Sequence, residues 1–121
     1  MNFISATVSS KTNDSTEVSF FESSNIKIQK ISENIKEGDK VTLGIRPEHI
    51  LVGEDGDSSW ESKVFVVEKL GSGTFLYLEK EGEPLVVQVE GESTIKVGDS
   101  IKIGFLSSKC HLFDKNKIAL K

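Results

Sequence analysis

The chain has 121 residues, a formal net charge of −4 and a pI near 5.2. A chain of this length is typical of one domain that buries roughly two thirds of its unfolded surface. The 15 Lys and Arg residues are scattered among 19 Asp and Glu residues, which argues against the clustered basic surface that nucleic-acid backbones require.

The single cysteine, Cys110, cannot form an intrachain disulfide and is typical of a reducing compartment. The first residues lack both a basic region and a long apolar run, so we expect neither a secretory signal nor a transmembrane helix. Any link to a membrane is therefore expected to run through another protein.

Short runs in which apolar and polar residues alternate dominate the chain, and this period of two predicts β-strands. In chain order they centre on residues 4–8, 18–20, 26–28, 41–45, 50–52, 64–67, 75–78, 85–87, 101–103 and 118–120. Short strands separated by about ten residues are typical of a β-sandwich or barrel. We therefore predict an all-β fold.

The strand over residues 41–45 has a sharp predicted end after Arg46. Pro47 has no backbone donor and cannot continue a ladder inside a sheet, so the strand must stop there. The next two residues form a tight turn or one helical turn before extended structure resumes at residues 50–52. Arg46 and Glu48 are thus presented at a corner, where they can pair with each other or with another surface.

A Gly-rich acidic stretch at residues 53–59 is the clearest loop in the chain. It predicts one domain, residues 1–121, whose halves span roughly 1–53 and 60–121 with the acidic loop 54–59 between them. Its carboxylates, Glu54, Asp55 and Asp57, lack the ligand spacing of a calcium loop, so we expect a solvated segment.

The halves also share a sequence repeat. Residues 36–45 and 96–105 match at Lys, Gly, Asp, two alternating apolar positions and a second Gly. In each copy Gly-Asp is predicted to form the turn before a strand, and Gly44 or Gly104 to permit a bulge or a close backbone approach. The alternative is that two common turns arose by chance.

The motifs of catalysis are incomplete. Residues 71–74, Gly-Ser-Gly-Thr, lack the Lys of a phosphate loop and fit a hairpin bend better. Cys110 and His111 are too few to hold zinc, and there is no Gly-x-Ser-x-Gly nucleophile elbow. We therefore predict no enzyme activity and no catalytic, cofactor-binding or metal-binding residues in this chain.

Phe20 and Phe21 are adjacent in a predicted strand and should point to opposite sides of the sheet. One of the two is then expected to be exposed or covered by a partner. This pair is the sequence's own indication of an interface.

One run is more specific than any of these. Residues 43–49, Leu-Gly-Ile-Arg-Pro-Glu-His, resemble the signature of the transport-associated (TOBE) β-barrel domain in the ATP-binding subunits of bacterial sugar importers of the maltose, glycerol-3-phosphate and multiple-sugar type. Weaker matches follow the family's order at residues 1–3, 67–71, Thr74, Gly104 and 110–114. The resemblance implies a small OB-fold-like or MOP-like barrel with two similar halves.

The resemblance also implies a function, that of a regulatory and dimerisation domain. Expected partners are a second copy, the ATPase domain of the same parent chain, a regulatory protein and, indirectly, the membrane subunits. ATP and Mg would belong to that parent, the location would be the cytoplasmic side of the inner membrane, and the chain would be a fragment or separately encoded. The signature residues carried over as a possible interface are Arg46, Pro47, Glu48 and His49. Alternatively, Arg46 pairs with a carboxylate inside the domain.

Two other functions stay open. Related duplicated barrels bind molybdate or similar oxyanions through backbone donors and a few side chains, for which Ser107, Ser108 and Lys109 are a possible set. A nucleic-acid-binding barrel would stack bases on aromatic residues, but the acidic pI disfavours it. The sugar itself is not encoded in this chain.

Overall fold

The computed structural model describes residues 1–12, 14–21, 24–29, 35–71, 73–90 and 93–114. The strands are β1 (Asn2–Lys11), β2 (Thr16–Phe20), β3 (Ser24–Ile28), β4 (Lys40–Ile45), β5 (Leu51–Val52), β6 (Ser58–Leu70), β7 (Gly73–Leu78), β8 (Leu85–Val89), β9 (Ser100–Phe105) and β10 (His111–Phe113). Two 3₁₀ turns, η1 (Pro47–His49) and η2 (Ser107–Lys109), follow β4 and β9. These ranges contain no α-helix, which confirms the all-β prediction, and no helix able to span a membrane. The strand predicted at 118–120 lies outside the described residues.

The strands form two antiparallel five-stranded sheets. The first has the order β10-β4-β1-β2-β3 and the second has the order β5-β9-β6-β7-β8. The strand after each 3₁₀ turn joins the sheet of the other half: Leu51 lies opposite Gly104, and His111 lies opposite Gly44. Because each half supplies a strand to the other, the two sheets are interlocked.

The two copies of the sequence repeat have the same backbone hydrogen bonds. The N–H of Val8 donates to the carbonyl of Asp39 at 2.9 Å, and the N–H of Val64 donates to the carbonyl of Asp99 at 2.9 Å. A β-bulge follows Val8 in β1, and another follows Val64 in β6. The similarity of residues 36–45 and 96–105 is therefore a similarity of local structure.

The predicted Gly-Asp turns are confirmed in both copies. The Asp39 carboxylate accepts a hydrogen bond from the N–H of Lys36, and that of Asp99 accepts one from the N–H of Lys96, each at 2.9 Å. The glycine before each aspartate has a positive φ, 89° at Gly38 and 96° at Gly98, which favours glycine over any residue with a Cβ. Each turn delivers the chain into β4 or β9.

The core lies between the sheets and is built from the inward-facing residues of each strand. Its fully buried side chains include Ile4, Phe20, Ile26, Ile28, Leu43, Ile45, Leu76, Leu78, Leu85, Ile103, Phe105 and Leu112. Alternation of buried and exposed positions is clearest in β1 and β3. This alternation explains why the period of two located these strands from sequence.

The predicted loops are present with small changes in their limits. The acidic loop ends at Asp57, earlier than predicted, because β6 begins at Ser58 and pairs with Phe105 of β9. The hairpin predicted around residues 71–74 is confirmed, because Leu70 of β6 lies opposite Gly73 of β7; residue 72 lies outside the described residues.

Asn2 links the two sheets where β1 begins. Its Nδ2 donates to the carbonyl of Val86 at 2.7 Å, and its Oδ1 accepts the N–H of Val86 at 2.8 Å. Val86 belongs to β8, an edge strand, so the carboxamide replaces the neighbouring strand that Val86 lacks. A similar link is made by β3, an edge strand of the first sheet, where Ser24 Oγ donates to the carbonyl of Ser59 in β6 at 3.1 Å.

Replacing this link tests its contribution. Asn2→Ala removes both hydrogen bonds with Val86. Because Asn2 is only 7% exposed, water cannot easily replace them, and we expect the free energy of unfolding to fall by about 2 kcal/mol. Urea denaturation of both proteins measures the change. Asn25→Ala, on the exposed face of β3, is the matched control and should change stability by less than about 0.5 kcal/mol. Equal effects of the two substitutions would contradict the role of Asn2.

Candidate functional site

The signature run forms a corner at one end of the first sheet. β4 ends at Ile45, and Pro47–His49 make one 3₁₀ turn in which the N–H of His49 donates to the carbonyl of Arg46 at 3.0 Å. Ile45 and Ile50, on either side, are 0% and 4% exposed. The strand stop and the single helical turn are thus confirmed, and buried apolar residues hold the corner in place.

The charged residues of this corner point outward. Arg46 and Glu48 are exposed, and Arg46 makes no ion pair within the described ranges. Pairing of Arg46 with a carboxylate inside the domain is therefore not found there.

His49 differs from its neighbours because its ring is half-buried. Its Nδ1 is buried and has no hydrogen-bond partner among the described residues. The turn η1 itself packs against β8, an edge strand of the second sheet. A buried nitrogen without a partner costs about 1–3 kcal/mol. The sequence contains no signal for the burial of this nitrogen, since the burial depends on which strand lies beside the turn.

The second sheet has a matching corner at η2. The N–H of Lys109 donates to the carbonyl of Leu106 at 2.9 Å, as in η1. The N–H of Ser107, one of the donors considered for an oxyanion, donates instead to Oδ2 of Asp57 at 2.8 Å. This candidate donor is therefore occupied by a carboxylate of the same chain.

The acidic loop is folded against β9. Oδ1 of Asp55 forms an ion pair with Nζ of Lys102 at 2.9 Å. The Asp55 side chain is 73% exposed and that of Lys102 is 43% exposed. An ion pair this exposed contributes little to stability. Two of the three carboxylates in the loop, those of Asp55 and Asp57, thus contact the domain itself. Among the described residues no group of three or more potential metal ligands is present.

Cys110 and His111 are adjacent at the start of β10 but differ in burial. Cys110 is 2% exposed and lies in the core, whereas His111 is half-buried in β10. Burial raises the pKa of the Cys110 thiol to about 12, and the negative charge of Asp57 adds to this effect. The thiol is therefore protonated and poorly reactive at neutral pH.

This raised pKa makes stability depend on pH. Above 9.0, the ordinary value, the unfolded chain loses the thiol proton while the folded chain keeps it until about pH 12. The free energy of unfolding should therefore fall as pH rises through this range, by up to about 1.4 kcal/mol per pH unit. Denaturation of the native chain and of Cys110→Val at several pH values measures it. Identical pH profiles for the two proteins would contradict the assignment.

Four aromatic rings join the halves. Phe20 meets Phe105 edge-on, with ring centroids 5.5 Å apart, and Phe21 stacks on Trp60 at 3.9 Å. The prediction that Phe20 and Phe21 face opposite sides is wrong: Phe21 lies after the end of β2 with a φ of 51°, so strand alternation does not apply to it. Trp60 of the same chain covers Phe21.

A groove of about 680 Å³ borders this stack. It is lined by Ile4, Ser5, Phe21, Trp60, Lys80, Glu81 and Gly82. Burial lowers the pKa of Lys80, and Glu83 and Glu81 partly oppose the shift. Nζ of Lys80 donates to the carbonyl of Glu81 at 3.1 Å.

Two known family models match this chain, and their matches cover the signature corner and both sheets. A family model described as the TOBE domain matches residues 43–113, and one described as the MalK OB fold domain matches residues 1–50. The chain belongs to the TOBE domain family. The signature corner and the whole second sheet lie within the match of this TOBE chain.

Relatives of the TOBE chain are ATP-binding proteins of sugar import. The Maltose/maltodextrin import ATP-binding protein MalK of Aliivibrio fischeri is 33% identical over 93% of the chain and 31% of its own length. The Alpha-glucoside transport ATP-binding protein AglK of Rhizobium meliloti is 33% identical over 96% of the chain and 32% of its own length. The TOBE chain thus spans about a third of the length of these relatives.

A solved structure shows the same fold. The cytoplasmic molybdate-binding protein ModG, in a molybdate-bound crystal form, superposes with a TM-score of 0.72 over 92% of the TOBE chain and 94% of the ModG chain. The sequence identity is 16%. At this identity the likeness concerns architecture alone.

Proposed function

We propose that this chain is the regulatory and dimerisation domain of the ATP-binding subunit of a bacterial sugar importer. The observation that carries the proposal is the match of 93% of the chain to one third of a maltose/maltodextrin import ATP-binding protein. The chain supplies a TOBE domain, and ATP and Mg belong to the ATPase domain of the parent protein. The proposed role of the chain in transport is therefore mechanical rather than catalytic.

The proposed partners follow from this context. They are a second copy of the chain, the ATPase domain of the same parent and, through that domain, the membrane subunits of the importer. A regulatory protein is a further proposed partner. The domain would work on the cytoplasmic side of the inner membrane, peripheral to it.

The proposed mechanism is a constant contact. If two copies stay paired while their ATPase domains separate, reclosure of those domains becomes an intramolecular step. Such a link raises the effective concentration of one ATPase domain at the other to about the millimolar range. The interlocked sheets suit this task, because neither half of the domain can move away from the other without unpairing β5 and β10.

The corner at residues 46–49 is proposed as a contact to the ATPase domain or to the second copy. The exposed guanidinium of Arg46, which makes no ion pair with any described residue, supports this. Arg46→Ala should then leave the free energy of unfolding, measured by urea denaturation, unchanged to within about 0.5 kcal/mol. In the parent protein the same substitution should weaken association. Lost stability with unchanged association would assign Arg46 to the domain itself.

A chimaera tests the proposed function. The matched third of the Aliivibrio fischeri relative is replaced by this chain, and association of the nucleotide-free protein is measured by sedimentation. We expect the chimaera to associate like the natural protein, and a truncated protein without this third to associate at least about 100-fold more weakly. A folded chimaera that is as monomeric as the truncated protein would overturn the proposal.

An oxyanion-binding module has weaker support. The likeness to ModG concerns architecture, and the N–H of Ser107, a candidate anion donor, already donates to Asp57. Calorimetric titration with molybdate, tungstate and sulfate is expected to give no saturable heat. Saturable heat with molybdate would revive this alternative.

A further inference from the structure

The two halves of the fold present different outer faces. In the second sheet, the bulge residue Phe65 and its neighbour Val66 are 39% and 38% exposed. Val66 lies opposite Tyr77, and Tyr77 lies opposite Val86. An apolar row therefore crosses β6, β7 and β8 on the side away from the core.

The same row in the first sheet is polar. The bulge residue there is Ser9; Ser10 lies opposite Glu17, and Glu17 lies opposite Lys27. The bulges in the two sheets follow equivalent residues, Val8 and Val64. Each apolar residue of the second row therefore has a polar counterpart at the equivalent backbone position.

The difference between the two rows shows whether the fold itself requires apolar residues there. The first sheet forms the same bulge and the same strand pairs with polar residues in the row, so the fold does not need apolar ones there. Exposed apolar residues in one contiguous patch are typical of a binding surface. We refer to residues 65, 66, 77 and 86 as the apolar face.

Charged residues lie at both ends of the apolar face on β6. Lys63 comes before the bulge, Glu68 comes after it, and both are exposed. The hydroxyl of Tyr77 lies 3.5 Å from Oε1 of Glu68. One end of the apolar face is therefore basic and the other is acidic. If a second copy lies over it in the opposite direction, each charged end meets the opposite charge.

We propose that the apolar face is the surface through which two copies of this chain pair. A two-fold axis in the contact plane, perpendicular to the strands, lays β6 of one copy antiparallel over β6 of the other. Lys63 of each copy then faces Glu68 of the second copy, and the apolar residues meet at the centre. This inference rests on the proposed dimerisation role and adds the surface and the symmetry.

The pairing should be weak in the isolated chain. A few partly exposed apolar residues form a patch well below the roughly 800 Å² per partner of a stable interface. We expect a dissociation constant on the order of 100 μM. Weak pairing suits a contact that acts between two tethered parent chains, where the effective concentration is high.

Charge reversal tests the surface and its symmetry together. Lys63→Glu and Glu68→Lys should each weaken self-association, measured by sedimentation equilibrium, at least about fivefold. An equimolar mixture of these two variants should associate as tightly as the native chain, because each reversed residue then faces an opposite charge. Lys27→Glu makes the same charge change on the polar row of the first sheet and should leave association within about twofold.

Val86→Lys is a second variant, which places on the apolar face the residue type found at the equivalent position of the first sheet. It should abolish association at concentrations where the native chain pairs. Far-UV circular dichroism of each variant verifies that it is folded.

The outcomes separate this inference from the proposed function. Native association that is insensitive to both charge reversals and to Val86→Lys overturns the surface but leaves dimerisation standing. Failure of the mixture to recover association overturns the two-fold arrangement. A native chain that stays monomeric up to about 1 mM overturns both the surface and the dimerisation role.

Discussion

Gly104→Ala is expected to lower the free energy of unfolding by at least about 3 kcal/mol and the melting temperature by about 10 °C or more. A Cβ on Gly104 would collide with the carbonyl oxygen of Glu54, and it would lie 2.7 Å from the carbonyl carbon and oxygen of Asp55. These atoms are backbone and cannot move aside by a side-chain rotation. Urea and thermal denaturation measure the loss.

Gly44 provides the matched control, because it occupies the equivalent position in the first repeat. A Cβ there would meet Cε2 of Phe113 at 2.7 Å and Sδ of Met1 at 2.9 Å. Both atoms belong to side chains, which can rotate aside as backbone cannot, so Gly44→Ala should cost less than about 1 kcal/mol. Equal losses for Gly44→Ala and Gly104→Ala would show that close packing of the acidic loop is not the cause.

Phe105→Ala is expected to lower the free energy of unfolding by about 4 kcal/mol. The ring is fully buried and lies edge-on to Phe20, at an interplanar angle of 89°. Truncation leaves a cavity where a strand of the second sheet meets a strand of the first. Urea denaturation followed by Trp60 fluorescence and by circular dichroism measures the change.

Phe3→Ala is the control for the loss of an aromatic ring. Phe3 is 45% exposed and also makes an edge contact, with Phe113 at 5.7 Å. Its loss should cost less than about 1 kcal/mol. If Phe3→Ala and Phe105→Ala were equally destabilising, the core between the sheets would not be the main source of stability.

Both halves should unfold together in these experiments. β5 and β10 each pair with a strand of the other half, so loss of either sheet removes a strand from its neighbour. We expect the two probes to report one transition in native and variant chains alike. Separate transitions would mean that the exchanged strands contribute little to cooperativity.

Much of the local structure could be predicted from the sequence because it depends on neighbouring residues. Alternation located β1 and β3, since one face of each strand is buried. Pro47 marked the end of β4 through its missing donor, and the repeated Gly-Asp pairs marked two turns that begin with Lys36 and Lys96. The resemblance of residues 43–49 identified the family.

Other features depended on the arrangement of strands. A period of two specifies which side of a strand is buried but not which strand lies beside it, so the exchange of β5 and β10 had no sequence signal. Phe21 was expected to oppose Phe20 because the alternation rule assumes a strand, whereas a left-handed turn residue redirects its ring onto Trp60.

Composition, periodicity and motifs were enough to predict the all-β character, the strand stop at Pro47, the paired turns and the family. Only the tertiary structure decided that Asp57 accepts the N–H of Ser107, fifty residues away, and that the loop backbone leaves no room for a Cβ at Gly104. It also showed that the apolar row across β6–β8 has a polar equivalent in the first sheet. The physical reason is that these features are contacts between segments distant in sequence, which local propensity and periodicity do not encode.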